Sequence, residues 1–125
     1  MQATLTQVGE AVVEIEFLNE SLTSQFLLLP LIDEDRAGRS LFEFDPIAPY
    51  IGALVKRPPF TPDELEEILP GESITRRFDI SKCYKLSEGV VYSILYRIPH
   101  PVEGILDPLH WSEVESQWLT LSLDF

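Results

Sequence analysis

Apolar and polar side chains alternate residue by residue in several short stretches of this chain, and a period of two belongs to β-strands rather than helices. From Val12 to Leu18, Val13, Ile15 and Phe17 fall on one side and Glu14 and Glu16 on the other, the pattern of a strand with one buried face. From Val90 to Ile98, Tyr92, Ile94, Tyr96 and Ile98 share a side opposite the mixed set Val91, Ser93, Leu95 and Arg97. Leu119, Leu121, Leu123 and Phe125 alternate with Trp118, Thr120, Ser122 and Asp124, predicting a last strand that closes an edge. Phe26 to Ile32 is apolar on both faces, which predicts a central strand covered on both sides. In Glu72 to Ile80, Ile74, Phe78 and Ile80 are in phase, but Arg76 shares their face. A bulge and a strand end where Arg76 snorkels to water both account for this.

One short helical turn is expected near 62–68. Thr61-Pro62-Asp63-Glu64 supplies a capping hydroxyl, proline at the first helical position and glutamate three residues after the cap. Leu65 and Ile68 or Leu69 would pack inward, and Pro70-Gly71 would end the turn. Ten prolines and six glycines are spread along the chain, as suits many short strands separated by turns. No linker, repeat or low-complexity run divides it. The expectation is one all-β domain over residues 1–125, an immunoglobulin-like antiparallel β-sandwich.

Acidic residues outnumber basic ones 21 to nine, for a formal charge of −12. Such a surface repels phosphate backbones and anionic lipid, so nucleic acid and membranes are not expected partners. Cys83 is the single cysteine, which rules out an internal disulfide. Met1 to Thr6 lacks the basic and apolar regions of a secretion signal, and the run from Phe26 to Ile32 is too short to span a bilayer. A cytoplasmic protein is the simplest expectation.

The parts of most catalytic sites are missing. The glycines stand alone, so no phosphate-cradling loop is written here. Cys83 lies in Ser81-Lys82-Cys83-Tyr84, a corner between strands, and reads as a small half-buried side chain. His100 and His110, with Asp107 between them, lack the short helical spacing of a zinc site. Asp33-Glu34-Asp35 lacks the alternating ligands and distant glutamate of a calcium loop. No catalytic residue, metal ligand or cofactor is assigned.

Two loops read as binding surfaces. Phe44 to Phe60 is apolar and proline-rich and carries Lys56-Arg57. Pro99 to Trp111 contains further prolines with His100, His110 and Trp111. Prolines hold such segments extended and lower the entropy lost on docking. Tyr50, Lys56, Arg57, Phe60, His100, His110 and Trp111 are the candidate contact residues. Covering the ends of the core is the plainer role for both loops.

Three stretches carry a family resemblance: Ala48-Pro49-Tyr50-Ile51-Gly52-Ala53-Leu54-Val55-Lys56-Arg57, Leu69-Pro70-Gly71-Glu72-Ser73, and the segment from Phe78 through Tyr84-Lys85-Leu86 to Tyr96. In this order they resemble the N-terminal β-sandwich, pro-domain-like region of the deuterolysin-like zinc metalloendopeptidases, the aspzincins. The likeness runs from about Leu5 to Arg97. Read from the residues, these stretches are structural: Gly71 and Gly89 permit positive φ in turns, and Tyr84 is expected to put its ring in the core and its hydroxyl on backbone. The family's HExxH helix and further aspartate ligand are absent, so neither zinc nor peptidase activity carries over.

Two readings follow. The first is a non-enzymatic protein-binding module, pairing through an edge strand with a partner or with a second copy as a homodimer. The alternative, implied by the resemblance, is a stand-alone pro-domain-like inhibitor or folding chaperone of an aspzincin-type zinc endopeptidase, with Lys56-Arg57 entering the protease cleft.

Overall fold

The alternation in Val12–Leu18 (β2) places Val13, Ile15 and Phe17 entirely out of contact with solvent, and the rest of the domain is built around that face. A computed structural model describes residues 1–123. Gln2–Gly9 (β1) pairs antiparallel with β2 and buries Ala3 and Leu5. The other strands are Gln25–Leu28 (β3), Phe42–Asp45 (β4), Leu65–Ile68 (β5), Ser73–Asp79 (β6), Ser93–His100 (β7), Ser112–Glu115 (β8) and Leu119–Thr120 (β9).

They form an all-β antiparallel sandwich. One sheet has the order β1-β2-β6, a second has β4-β7-β8 with β9 also on β7, and β3 and β5 form a separate two-stranded sheet. This order matches the A-B-E and C-F-G sheets of the immunoglobulin-like sandwich. Phe17 meets Tyr96 edge-on at 5.4 Å and Phe42 meets Phe78 at 5.0 Å between ring centroids. Each such pair contributes about 0.5–1.5 kcal/mol beyond its buried area. β8 and β9 are two pieces of one edge strand. Between them Ser116 Oγ accepts the Tyr96 amide at 2.9 Å while Ser116 N donates to Tyr96 O at 2.8 Å, so the ladder continues through the break.

Several expectations change. The apolar run from Phe26 to Ile32 is not one central strand: β3 ends at Leu28, and Leu29–Ile32 form a buried 3-10 turn with Pro30 near its start. Proline has no amide proton for a ladder, which stops the strand there. The helical turn near 62–68 shrinks to a 3-10 turn over Pro62–Glu64. Its capping contact is present, Thr61 N donating to Glu64 Oε1 at 3.1 Å. Leu65 to Ile68 then pair with β3, because a ladder satisfies more backbone than a marginal second helical turn would. At the C-terminus Leu121 is buried and Leu119 and Leu123 half-buried, yet only Leu119–Thr120 form strand. Asp124 and Phe125, the end of that predicted strand, lie outside the described residues.

Arg76 pairs with Ile15 in an unbroken register in the middle of β6, so neither a bulge nor a strand end places it. It lies half-buried and turns its guanidinium back to Thr75 O at 3.0 Å, which is snorkelling. Gly71 and Gly89 have φ of 78° and 75°, as their turns require. Among the described residues no helix is long and apolar enough to cross a membrane.

Candidate functional site

The two proline-rich loops meet. The first is tied down along its length: Lys85 N donates to Pro49 O, Ile51 N to Cys83 O and Val55 N to Gly38 O, at 2.9, 2.7 and 2.9 Å. Gly38 permits the last contact, since at φ 62° a Cβ there would lie 2.8 Å from Val55 Cβ. The second loop returns from β7 beside β3, where Phe26 N donates to Val102 O at 2.9 Å.

Between the loops lies a cleft of about 500 Å³ whose walls include Arg39, Val55, Arg57, Phe60, Pro108 and Trp111. The Phe60 and Trp111 rings stand 5.9 Å apart with planes tilted by 50°. The Trp111 indole N–H is satisfied by Leu106 O at 3.0 Å, which fixes the ring. Arg57 lays its guanidinium over Phe60 at 4.5 Å from the centroid and is ion-paired with Glu64. The Glu64 carboxylate is held below its usual range by the Thr61 amide and then by Arg57. Arg39 Nε donates to its neighbour's carbonyl, Ser40 O, at 3.1 Å, and its guanidinium meets no carboxylate among the described residues.

Of the candidate contact residues, the fold thus brings Arg57, Phe60 and Trp111 to one place. Lys56 is exposed beside Arg57, and His110 is exposed next to Trp111. Tyr50 is half-buried and folded back, its hydroxyl donating to Ala53 O at 2.7 Å and its ring 5.5 Å from Tyr84. His100 departs from expectation as a contact residue. It continues the Tyr92-Ile94-Tyr96-Ile98 face inward and has no exposed surface. Its Nδ1 accepts the Leu28 amide at 3.0 Å and its Nε2 lies 2.8 Å from Tyr96 Oη. Burial pushes its pKa down to about 3. Extending the period-two register from Ile98 by one more step would have shown this. Arg39 was missed; alone in Ala37-Gly38-Arg39-Ser40, it carries no local signal for the surface it joins.

The remaining chemical groups stay apart. Burial, followed by the carboxylates of Glu34 and Asp35, raises the Cys83 thiol above its usual range, so it is a poor nucleophile at neutral pH. No cluster of three or more histidine, cysteine or acidic side chains suited to a metal occurs among the described residues. The cleft offers apolar area, the Phe60 and Trp111 rings and the Arg39 guanidinium, with Arg57 already held by Glu64 and Phe60, and these are means of binding.

No family model matches the chain, and no curated protein matches it.

Proposed function

We propose that this protein is a non-enzymatic protein-binding module whose recognition surface is the cleft between the two proline-stiffened loops. The observation that carries this is the convergence of Arg57, Phe60 and Trp111 with Arg39 around one concavity of about 500 Å³. Its size falls in the range of about 300–1,000 Å³ found for ligand-binding clefts. Aromatic and arginine side chains in a shielded setting are the residue types that dominate binding energy at interfaces.

The edge-pairing form of the module reading receives less support than the cleft. Gln117 brackets Leu5, its Oε1 accepting from Leu5 N at 3.1 Å and its Nε2 donating to Leu5 O at 2.8 Å. Gln7 brackets Ser122 in the same way at 2.8 and 2.7 Å. Those backbone groups are the ones an added strand would use. The inhibitor reading needs Arg57 to project into a protease, whereas Arg57 is engaged by Glu64 and Phe60 within its own domain.

Immobilised protein is used to capture partners from a cell extract, beside Trp111→Ala and Val55→Phe variants. Val55 is 60% exposed, so a larger side chain there fills the mouth of the cleft without entering the core. A protein retained by the wild type, lost with both variants and binding directly when purified supports the proposal. Partners retained equally by all three forms place recognition elsewhere and overturn it.

A further inference from the structure

Charge in this molecule is distributed against its average. Acidic residues outnumber basic ones 21 to nine, yet the cleft walls contain Arg39 and Arg57 and no carboxylate. Arg57 is neutralised from behind by Glu64. Arg39 has no carboxylate partner among the described residues and is exposed. The two adjoining hollows are mixed in charge: Glu34 and Asp35 stand with Arg36 on the side sharing Arg57, and Glu43 is ion-paired with Arg97 at 2.7 Å on the side sharing Arg39. The cleft is therefore a basic, aromatic patch on an acidic molecule.

From this pattern, and resting on the cleft reading above, we infer that the occupant is an extended peptide segment of a partner protein with one acidic side chain beside a proline or aromatic residue. The apolar residue lies against Phe60 and Trp111, whose tilted rings accept a flat or rigid side chain. The carboxylate reaches Arg39, where a guanidinium offers paired donors in a fixed fork. With Arg57 already paired to Glu64, one guanidinium in the cleft remains without a carboxylate partner among the described residues, so the segment carries a single acid. A polyacidic segment is opposed by the molecule's overall charge of −12, and like-charge juxtaposition is an ordinary source of specificity.

A random twelve-residue peptide display library selected on the wild-type protein tests this, with Trp111→Ala and Val55→Phe as counter-selections for cleft dependence. The expected result is enrichment of peptides with a single aspartate or glutamate next to proline, tryptophan, tyrosine or phenylalanine. A synthetic peptide from that set should lose about tenfold or more in affinity when its acid is replaced by the amide, or when the protein carries Arg39→Gln, as for loss of one charge-assisted contact. Binding should also weaken with added salt. Arg39 is exposed, so its replacement should leave the fold intact, which circular dichroism would check. Cleft-dependent peptides that are neutral or basic, or that bind Arg39→Gln unchanged, overturn the acidic ligand and leave the module standing. Selection that yields no cleft-dependent peptide overturns both.

Discussion

Tyr96 Oη and His100 Nε2 lie 2.8 Å apart in the interior, and their neighbours settle which atom donates. Leu28 N donates to His100 Nδ1 at 3.0 Å, so that nitrogen is unprotonated and Nε2 carries the hydrogen. Tyr96 Oη accepts from it and donates its own O–H to Leu31 O at 2.7 Å. The relay joins β7 to β3 and to the 3-10 turn after it with every partner satisfied, the condition under which a buried polar network is tolerated.

The relay makes stability depend on pH. In the unfolded chain His100 titrates near 6.5; in the folded protein burial lowers this to about 3. Between those values the unfolded state binds a proton that the folded state does not. The contribution is thus complete above pH 6.5 and is lost, at up to about 1.4 kcal/mol per pH unit, as pH falls toward 3. Urea unfolding of the wild type and His100→Gln at pH 7 and pH 4.5 should show a smaller acid loss in the variant. Equal losses would remove His100 as a cause.

Tyr84 takes two amides at once, accepting from Leu41 N at 3.1 Å and Phe42 N at 3.0 Å. Ser40 donates its own proton to Phe42 O, so the Tyr84 hydroxyl donates to Ser40 Oγ at 2.7 Å. Tyr84→Phe leaves buried donors without an acceptor and should cost about 2–3 kcal/mol. Denaturant unfolding measures this, and ligand binding by the folded fraction should be unchanged.

Gly38 and Gly71 form a matched pair for dissecting the cleft wall. Both have positive φ, but only at Gly38 would a Cβ strike another group, Val55 at 2.8 Å. Alanine at either position should cost about 1–2 kcal/mol of backbone strain. Gly38→Ala should cost about 1–3 kcal/mol more from overpacking and should also shift Trp111 emission in a Trp118→Phe background. Thermal unfolding of the two variants gives the difference; identical losses would show that the Gly38–Val55 contact is not a constraint.

The glutamine brackets at Leu5 and Ser122 occupy backbone groups of β1 and of the C-terminal edge that an added strand would use. Gln7→Ala with Gln117→Ala should lower stability by about 1–3 kcal/mol and produce a concentration-dependent dimer in sedimentation velocity, as expected of an uncovered edge. A variant as stable as the wild type and no more self-associating would mean that the brackets do not protect the edge.

Some described strands were legible because alternation is written residue by residue: β2, β6, β7 and the last edge announce themselves in Val13-Ile15-Phe17, Ile74-Phe78, Ile94-Tyr96-Ile98 and Leu119-Leu121, whereas β4, with Phe42 and Phe44 buried on one face, was read as the start of a proline-rich loop. β1 was not seen, since Ala3 and Leu5 stand among Thr4, Thr6 and Gln7 and are buried only through pairing with β2. The run from Phe26 to Ile32 misled because apolarity on both faces reports enclosure, and a strand followed by a buried 3-10 turn is enclosed as fully as a central strand.

Function was harder to read for a related reason. Local pattern determined the class of fold, the positive-φ turns at Gly71 and Gly89 and the capped turn at Thr61, since each depends on a few successive residues. Tertiary structure alone decided that Arg39 faces the surface shared by Arg57, Phe60 and Trp111, and which partners the inward-facing His100 meets. Those outcomes depend on which strands end side by side and on hydrogen bonds such as Val55 N to Gly38 O and Leu28 N to His100 Nδ1. Such contacts join residues far apart in the chain, and no short-range periodicity encodes them.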